Sequence, residues 1–107
     1  SMLGGLDIGL VLNGKPGTLR PAVKLTDPKT GIVMDVSTTQ PTVVVYSDGT
    51  GTRTMKGKGG KTYRSSYSMT FETQAYLDAP NHPNFPSAEV RPGKPYHEVT
   101  VFKFGTK

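Results

Sequence analysis

The sequence predicts an all-β fold of short strands joined by tight turns. Three observations carry this. Apolar residues alternate with period two in several stretches, and no stretch of useful length repeats at the helical period. The run Thr42-Val43-Val44-Val45 is rich in β-branched residues, which suit a central strand. The 13 glycines and 9 prolines break the chain at close intervals. With 107 residues the chain has the size of one domain with a modest core. Its hydrophobic share, 34%, is below the usual globular value. That fits a turn-rich β domain, and equally a piece whose buried surface is completed elsewhere.

The elements follow in order. Residues 6–12 read as a strand, and 14–17 as a turn. Residues 19–26 place Val23 and Leu25 on one face of a half-buried strand. Asp27-Pro28-Lys29-Thr30-Gly31 is a turn, because proline presets its φ and glycine accepts positive φ. Residues 32–38 alternate Ile32, Met34 and Val36 against Val33 and Asp35, which makes the pair a β-hairpin around that turn. Residues 42–47 form the central strand. Residues 48–61 hold five glycines and read as a flexible or irregular loop, without the ending of a phosphate-binding loop. Residues 67–74 form a strand with Met69 and Phe71 on one face and Thr70 and Glu72 on the other. Pro80, Pro83 and Pro86 make 77–91 an irregular connection. Pro92-Gly93 is a turn. Residues 96–104 are the last strand, where the apolar phase slips between Val99/Val101 and Phe102/Phe104, predicting a bulge or burial on both faces. There is no internal repeat and no domain boundary, so residues 1–107 read as a single domain.

Composition limits the chemistry. The chain has no cysteine, hence no disulfide framework and no thiolate metal site. The longest apolar run, residues 43–46, is far too short to span a membrane as a helix, and no signal peptide is evident. Ser1-Met2 has the look of a cloning remnant. The formal net charge is +5, with Lys56, Lys58, Lys61, Arg53 and Arg64 close together. No aromatic stacking pattern or nucleic-acid motif accompanies them, so the preferred reading is a solvated loop with no nucleic-acid or membrane partner.

One ordered set of motifs carries the function. Glu72-Thr73-Gln74 is followed by Asn81-His82-Pro83-Asn84-Phe85-Pro86, then by Arg91-Pro92-Gly93 and Val101-Phe102-Lys103-Phe104. Upstream stand Gly5-Leu6-Asp7, the 27–31 turn, Thr38-Thr39-Gln40-Pro41, Tyr46, Lys56-Gly57-Lys58 and Tyr63. Together these resemble the C-terminal portion of the galactose mutarotase (aldose 1-epimerase) family, over residues 5–104. The resemblance implies an antiparallel β-sandwich, the C-terminal part of the mutarotase-like supersandwich. It also implies a cytoplasmic protein that interconverts the α and β anomers of hexoses such as galactose or glucose without a metal or organic cofactor.

By the same resemblance Glu72 is the general base, removing the proton from the C1 hydroxyl, and Asp7 orients the sugar by accepting hydrogen bonds from its hydroxyls. Partial burial would suit Glu72 to that role. The family's acid is a histidine from an N-terminal part absent here. Of the two histidines, His82 lies in a proline-bracketed loop and His97 is expected to face solvent from a strand. Neither is assigned as the acid. Asn81 is expected to satisfy loop backbone, and Arg91 to pair with a carboxylate or carbonyls. Two positions depart from the family pattern: Ile8 replaces a histidine and Val44 a glutamine, and both are expected to remove polar groups from the sugar site.

These features imply a chain that carries the base but is inactive alone. Its strands would leave edges and an apolar face to cover. The cover would come from the missing N-terminal part, from a second copy of the chain, or from closure into a compact sandwich of its own. The alternative function is a non-catalytic carbohydrate-binding or oligomerising β domain.

Overall fold

The computed structural model describes residues 4–47, 49, 54–65 and 67–107. Eight strands run β1 Asp7–Val11, β2 Arg20–Thr26, β3 Ile32–Thr38, β4 Thr42–Ser47, β5 Thr54–Lys56, β6 Thr62–Arg64, β7 Met69–Gln74 and β8 Thr100–Thr106. All pairings are antiparallel. Two three-stranded sheets have the orders β1-β4-β7 and β2-β3-β8, and β5-β6 is a separate two-stranded hairpin. The chain is therefore all-β, as its alternation and turn residues predict.

The β2–β3 turn has an explicit cause. The Asp27 carboxylate accepts from the Lys29 backbone N–H at 3.0 Å and from the Thr30 hydroxyl at 2.7 Å. Gly31 supplies the positive φ, 74°, that closes the turn. The Thr30 hydroxyl, then the Lys29 N–H, hold the Asp27 carboxyl below its ordinary value of 3.8.

β4 is the central strand of its sheet, and Val43, Val44 and Val45 are all buried. Where β3 runs into β4, the two large sheets meet. Thr38 is fully buried; its hydroxyl donates to the Val99 carbonyl at 3.1 Å, accepts from the Gln40 N–H at 3.1 Å, and lies 3.0 Å from the Thr100 hydroxyl. Thr100, on β8, is in turn 2.6 Å from the Thr73 hydroxyl on β7. This chain of hydroxyls ties the sheets together. Beside it, the buried Arg20 guanidinium donates to the carbonyls of Asn13 at 2.8 Å, Thr18 at 3.4 Å and Thr38 at 3.2 Å. Gly14, at φ +88°, leaves room for the Arg20 side chain, which comes within 3.0 Å of where a Cβ would stand.

Away from this corner the sheets remain open. In β2-β3-β8, the register of Leu25 with Met34 and Phe104, and of Val23 with Val36 and Phe102, puts these six apolar residues on one face. Only Val36 is buried; Phe104 is 67% exposed. The radius of gyration is 16.8 Å, against about 13 Å for a compact 100-residue domain. These strands do not close on themselves.

Three sequence expectations need correction. The last strand begins at Thr100 rather than at residue 96, and its pairing with β3 is regular. The phase slip arises because Val99 precedes the strand and gives its carbonyl to Thr38 and Thr39. The register shift lies instead between Pro21 and Val23 in β2, where proline lacks a ladder N–H. Part of the expected loop at 48–61 is the first half of the β5-β6 hairpin, turned by a 3-10 turn at Lys58–Gly60; positions 48 and 50–53 lie outside the described residues.

Replacing Thr38 by valine keeps the volume and deletes the central hydroxyl. The partners left unsatisfied should cost about 1–3 kcal/mol, read as a lower urea midpoint at unchanged m-value.

Candidate functional site

The β1-β4-β7 sheet is set by two registers. Asp7, Gly9 and Val11 stand opposite Tyr46, Val44 and Thr42 of β4, which stand opposite Thr70, Glu72 and Gln74 of β7. Directly opposed antiparallel residues share a face, and residues two apart along a strand share it too. Asp7, Tyr46, Thr70, Val44 and Glu72 therefore all lie on one face. Asp7 and Glu72 are both exposed. Two strand spacings and two residues of rise separate their Cα atoms by about 12 Å, a span that a hexose and two side chains can bridge.

The face has a polar row and a largely apolar one. Asp7, Tyr46 and Thr70 form the first. In the second, Gly9 and Glu72 flank Val44, which is 8% exposed. The Leu77 side chain lies over Gly9, its Cδ1 2.9 Å from where a glycine Cβ would be. The Thr70 hydroxyl donates to Glu72 Oε1 at 3.1 Å, linking the rows. Glu72 is thus an exposed carboxylate held by a neutral donor, on an open face and not in the partly buried setting that would favour its role as base.

Ile8 and Val44 separate here. Val44 lies between Asp7 and Glu72 on the same face. Ile8 opposes Val45 and so points to the other side of the sheet. A side chain at position 8 therefore lies away from the Asp7–Glu72 face.

The histidines stand apart from this face. His82 Nε2 is 3.3 Å from Asp78 Oδ2, and its ring packs on Phe85 with centroids 4.8 Å apart. His97 is exposed and lies outside any strand. Asn81 donates to the Asp78 side chain, not to loop backbone as expected, and Arg91 pairs with Glu89 at 2.7 Å, as the sequence suggested. Among the described residues no three His, Asp or Glu side chains gather into a metal-binding group, and no helix is long and apolar enough to cross a membrane. Thr70 and Leu77 were not singled out from sequence. The i, i+2 spacing of Thr70 and Glu72 on a strand was a usable signal; Leu77 lies in an irregular segment, and nothing local points it at Gly9.

Comparison with known proteins shows the family to which these residues belong. Residues 2–103 match the family model for aldose 1-epimerase. The chain is 42% identical over 74 residues to mouse galactose mutarotase and 43% identical over 74 residues to the human one, in each case 69% of this chain and 22% of the relative. It is 34% identical over 92 residues to an aldose 1-epimerase of Haemophilus influenzae, covering 79% of this chain and 25% of the relative. The chain belongs to the aldose 1-epimerase family. It spans about a quarter of the length of these curated relatives.

Thr70 is exposed, so Thr70→Val should change stability by no more than about 0.5 kcal/mol. It should free the Glu72 carboxylate, giving rotamer-averaged side-chain scalar couplings in NMR, and Thr70→Ser should restore the single rotamer.

Proposed function

We propose that this chain is the C-terminal portion of a hexose mutarotase. Glu72 serves as the general base and Asp7 orients the sugar. The observation that carries this reading is the placement of both carboxylates on one solvent-open face, about 12 Å apart, with Thr70 holding Glu72.

Anomer interconversion needs two proton transfers. A base takes the C1 hydroxyl proton and an acid protonates the ring oxygen; the ring opens, C1–C2 rotates, and the ring closes from the other face. Glu72 supplies the first group. His82, engaged with Asp78, and His97, outside the sheet, are poorly placed for the second. The acid is then supplied by polypeptide equivalent to the rest of the family's length. The exposed apolar face that includes Leu25, Phe102 and Phe104 supports such a partner, because covering it removes large apolar area from water. The substrates in view are galactose and glucose, and the cytoplasmic location follows the family resemblance.

Val44 favours a second reading, a module that binds sugar without turnover. It places a buried hydrocarbon between the two carboxylates, where an amide could have held a hydroxyl.

The test is mutarotation of α-D-galactose by polarimetry, on the chain alone and mixed with a galactose mutarotase lacking the corresponding C-terminal portion. The chain alone should match the buffer rate. The mixture should accelerate the reaction, and Glu72→Gln should abolish the gain. Equal acceleration by wild type and Glu72→Gln would remove Glu72 from the role of base. In the same assay Val44→Gln should change the rate or the apparent KM, and Ile8→His should leave both unaltered, because only position 44 lies on the site face.

A further inference from the structure

We propose that Leu77 is a specificity-determining residue of the Asp7–Glu72 face, and that it selects 6-deoxyhexoses, in which C5 carries a methyl group in place of a hydroxymethyl. The inference rests on the sugar-binding reading above and adds a substrate class to it.

The chain turns across this face after β7. Thr42 shares the face with Val44 by alternation, and its hydroxyl donates to the Gln74 carbonyl at 2.8 Å and the Ala75 carbonyl at 3.1 Å. Leu77 then reaches Gly9 on β1, at the far edge of the sheet from β7. The point where a Cβ on Gly9 would stand is 2.9 Å from Leu77 Cδ1, 3.7 Å from its Cγ and 4.0 Å from Val44 Cγ2. The Leu77 and Val44 side chains thus meet above Gly9, on the side of the sheet that carries Glu72. Gly9 has no positive φ, so its missing Cβ serves this contact and not the backbone.

Leu77 is held there by the segment that follows it. The Tyr76 carbonyl accepts from the Ala79 N–H at 3.3 Å, and the Tyr76 ring packs on Phe85 with centroids 5.0 Å apart. Phe85 packs in turn on His82. Asp78, at φ 57°, accepts from the Asn81 side chain and lies 3.3 Å from His82. The 81–86 motif, which supplies no acid to the Glu72 face, thereby braces a turn whose residue Leu77 lies on that face.

The face is asymmetric as a result. Asp7, Tyr46 and Thr70 are polar, whereas Leu77, 54% exposed and backed by buried Val44, offers hydrocarbon. Glu72 lies two strand spacings from Gly9, about 10 Å between Cα atoms, which one pyranose ring and the two side chains fill. A hexopyranose is asymmetric in the same way. C2, C3 and C4 carry hydroxyls, while the edge made by O5 and C5 carries none on the ring. With C1 at Glu72 and the hydroxyl edge at Asp7, the C5 edge lies toward Leu77. A C6 hydroxyl pressed there gives up water and finds no acceptor on the Leu77 or Val44 side chain. A methyl group there removes apolar surface from water.

The test is titration of the chain, read from the methyl NMR signals of Leu77 and Val44, with sugars of one configuration: D-galactose, D-fucose (its 6-deoxy form), L-arabinose, which has no C6, and 2-deoxy-D-galactose. D-fucose should bind about tenfold more tightly than D-galactose, the lower end of what one small group contributes in a hydrophobic pocket. L-arabinose should fall between them, and 2-deoxy-D-galactose should bind no better than D-galactose. Leu77→Ala should bring the ratio of the first two affinities close to one while keeping the fold, since Leu77 is exposed. Gly9→Ala, which keeps Leu77 but displaces its methyl, should lower the ratio as well. Equal affinities, a preference for D-galactose (expected if the Gln74 amide met the C6 hydroxyl), a ratio that survives Leu77→Ala, tighter binding of 2-deoxy-D-galactose than of D-fucose, or no movement of the Leu77 and Val44 signals with any sugar would each overturn the proposal. Mutarotation by the mixture described above separates the two readings. Glu72-dependent turnover with equal affinities would sink this inference alone. A Leu77-dependent preference with turnover indifferent to Glu72→Gln would sink the catalytic reading alone.

Discussion

The register of β4 against β1 and β7 is the constraint from which the candidate site follows. Val44 stands opposite Gly9 on one side and Glu72 on the other, and Tyr46 stands opposite Asp7 and Thr70. A slip of one residue in either pairing would carry Asp7 or Glu72 to the opposite side of the sheet. β4 is buried on both faces, Thr42 and Val44 on the Asp7–Glu72 side and Val43 and Val45 on the other, so a slip in either pairing would also displace this buried strand from its neighbours. The same alternation separates the two family departures, leaving Val44 on the face of Asp7 and Glu72 and sending Ile8 away from it.

The junction of the two large sheets is polar. The hydroxyls of Thr38, Thr100 and Thr73 form a continuous path between β3, β8 and β7, and the Arg20 guanidinium gathers three carbonyls beside it. Hydrogen bonds of this kind contribute about 1 kcal/mol each in net terms, but leaving them unmade in a buried setting costs more. They specify how the sheets meet without filling the space between them. Phe102, Phe104, Leu25 and Ile32 remain substantially exposed, and burying the rest of each would add roughly half of the about 1.5–3 kcal/mol that complete burial of such a side chain contributes. The β2-β3-β8 sheet therefore leaves an apolar face open to solvent; the chain spans about a quarter of the length of the curated relatives it matches.

Charge and chemistry are distributed unevenly. The two candidate functional carboxylates lie on one sheet face, and most of the net positive charge lies on the connection between that sheet's strands. The two carboxylates are built on strands, which hold geometry well.

Much of this was legible from local chemistry. Strands 32–38 and 42–47 agree with the sequence reading at both ends, because alternation, β-branching and the Asp27–Gly31 turn all act within a few residues. The family was readable from ordered motifs, which also nominated Glu72 and Asp7 as candidates. Two errors came from contacts beyond the local window. The 54–64 hairpin was hidden by its glycines, since the packing of Tyr63 over Gly57 links residues six apart through space. The start of β8 was misplaced because Val99 is claimed by Thr38 and Thr39, some sixty residues away. By itself, the sequence determined most of the strands and the turn chemistry, which depend on neighbours in the chain, and the family, which depends on ordered motifs. The tertiary structure alone decided that Val44 and not Ile8 shares the face with Glu72, and that Thr70 holds its carboxylate, because cross-strand register depends on distant segments that no local pattern specifies.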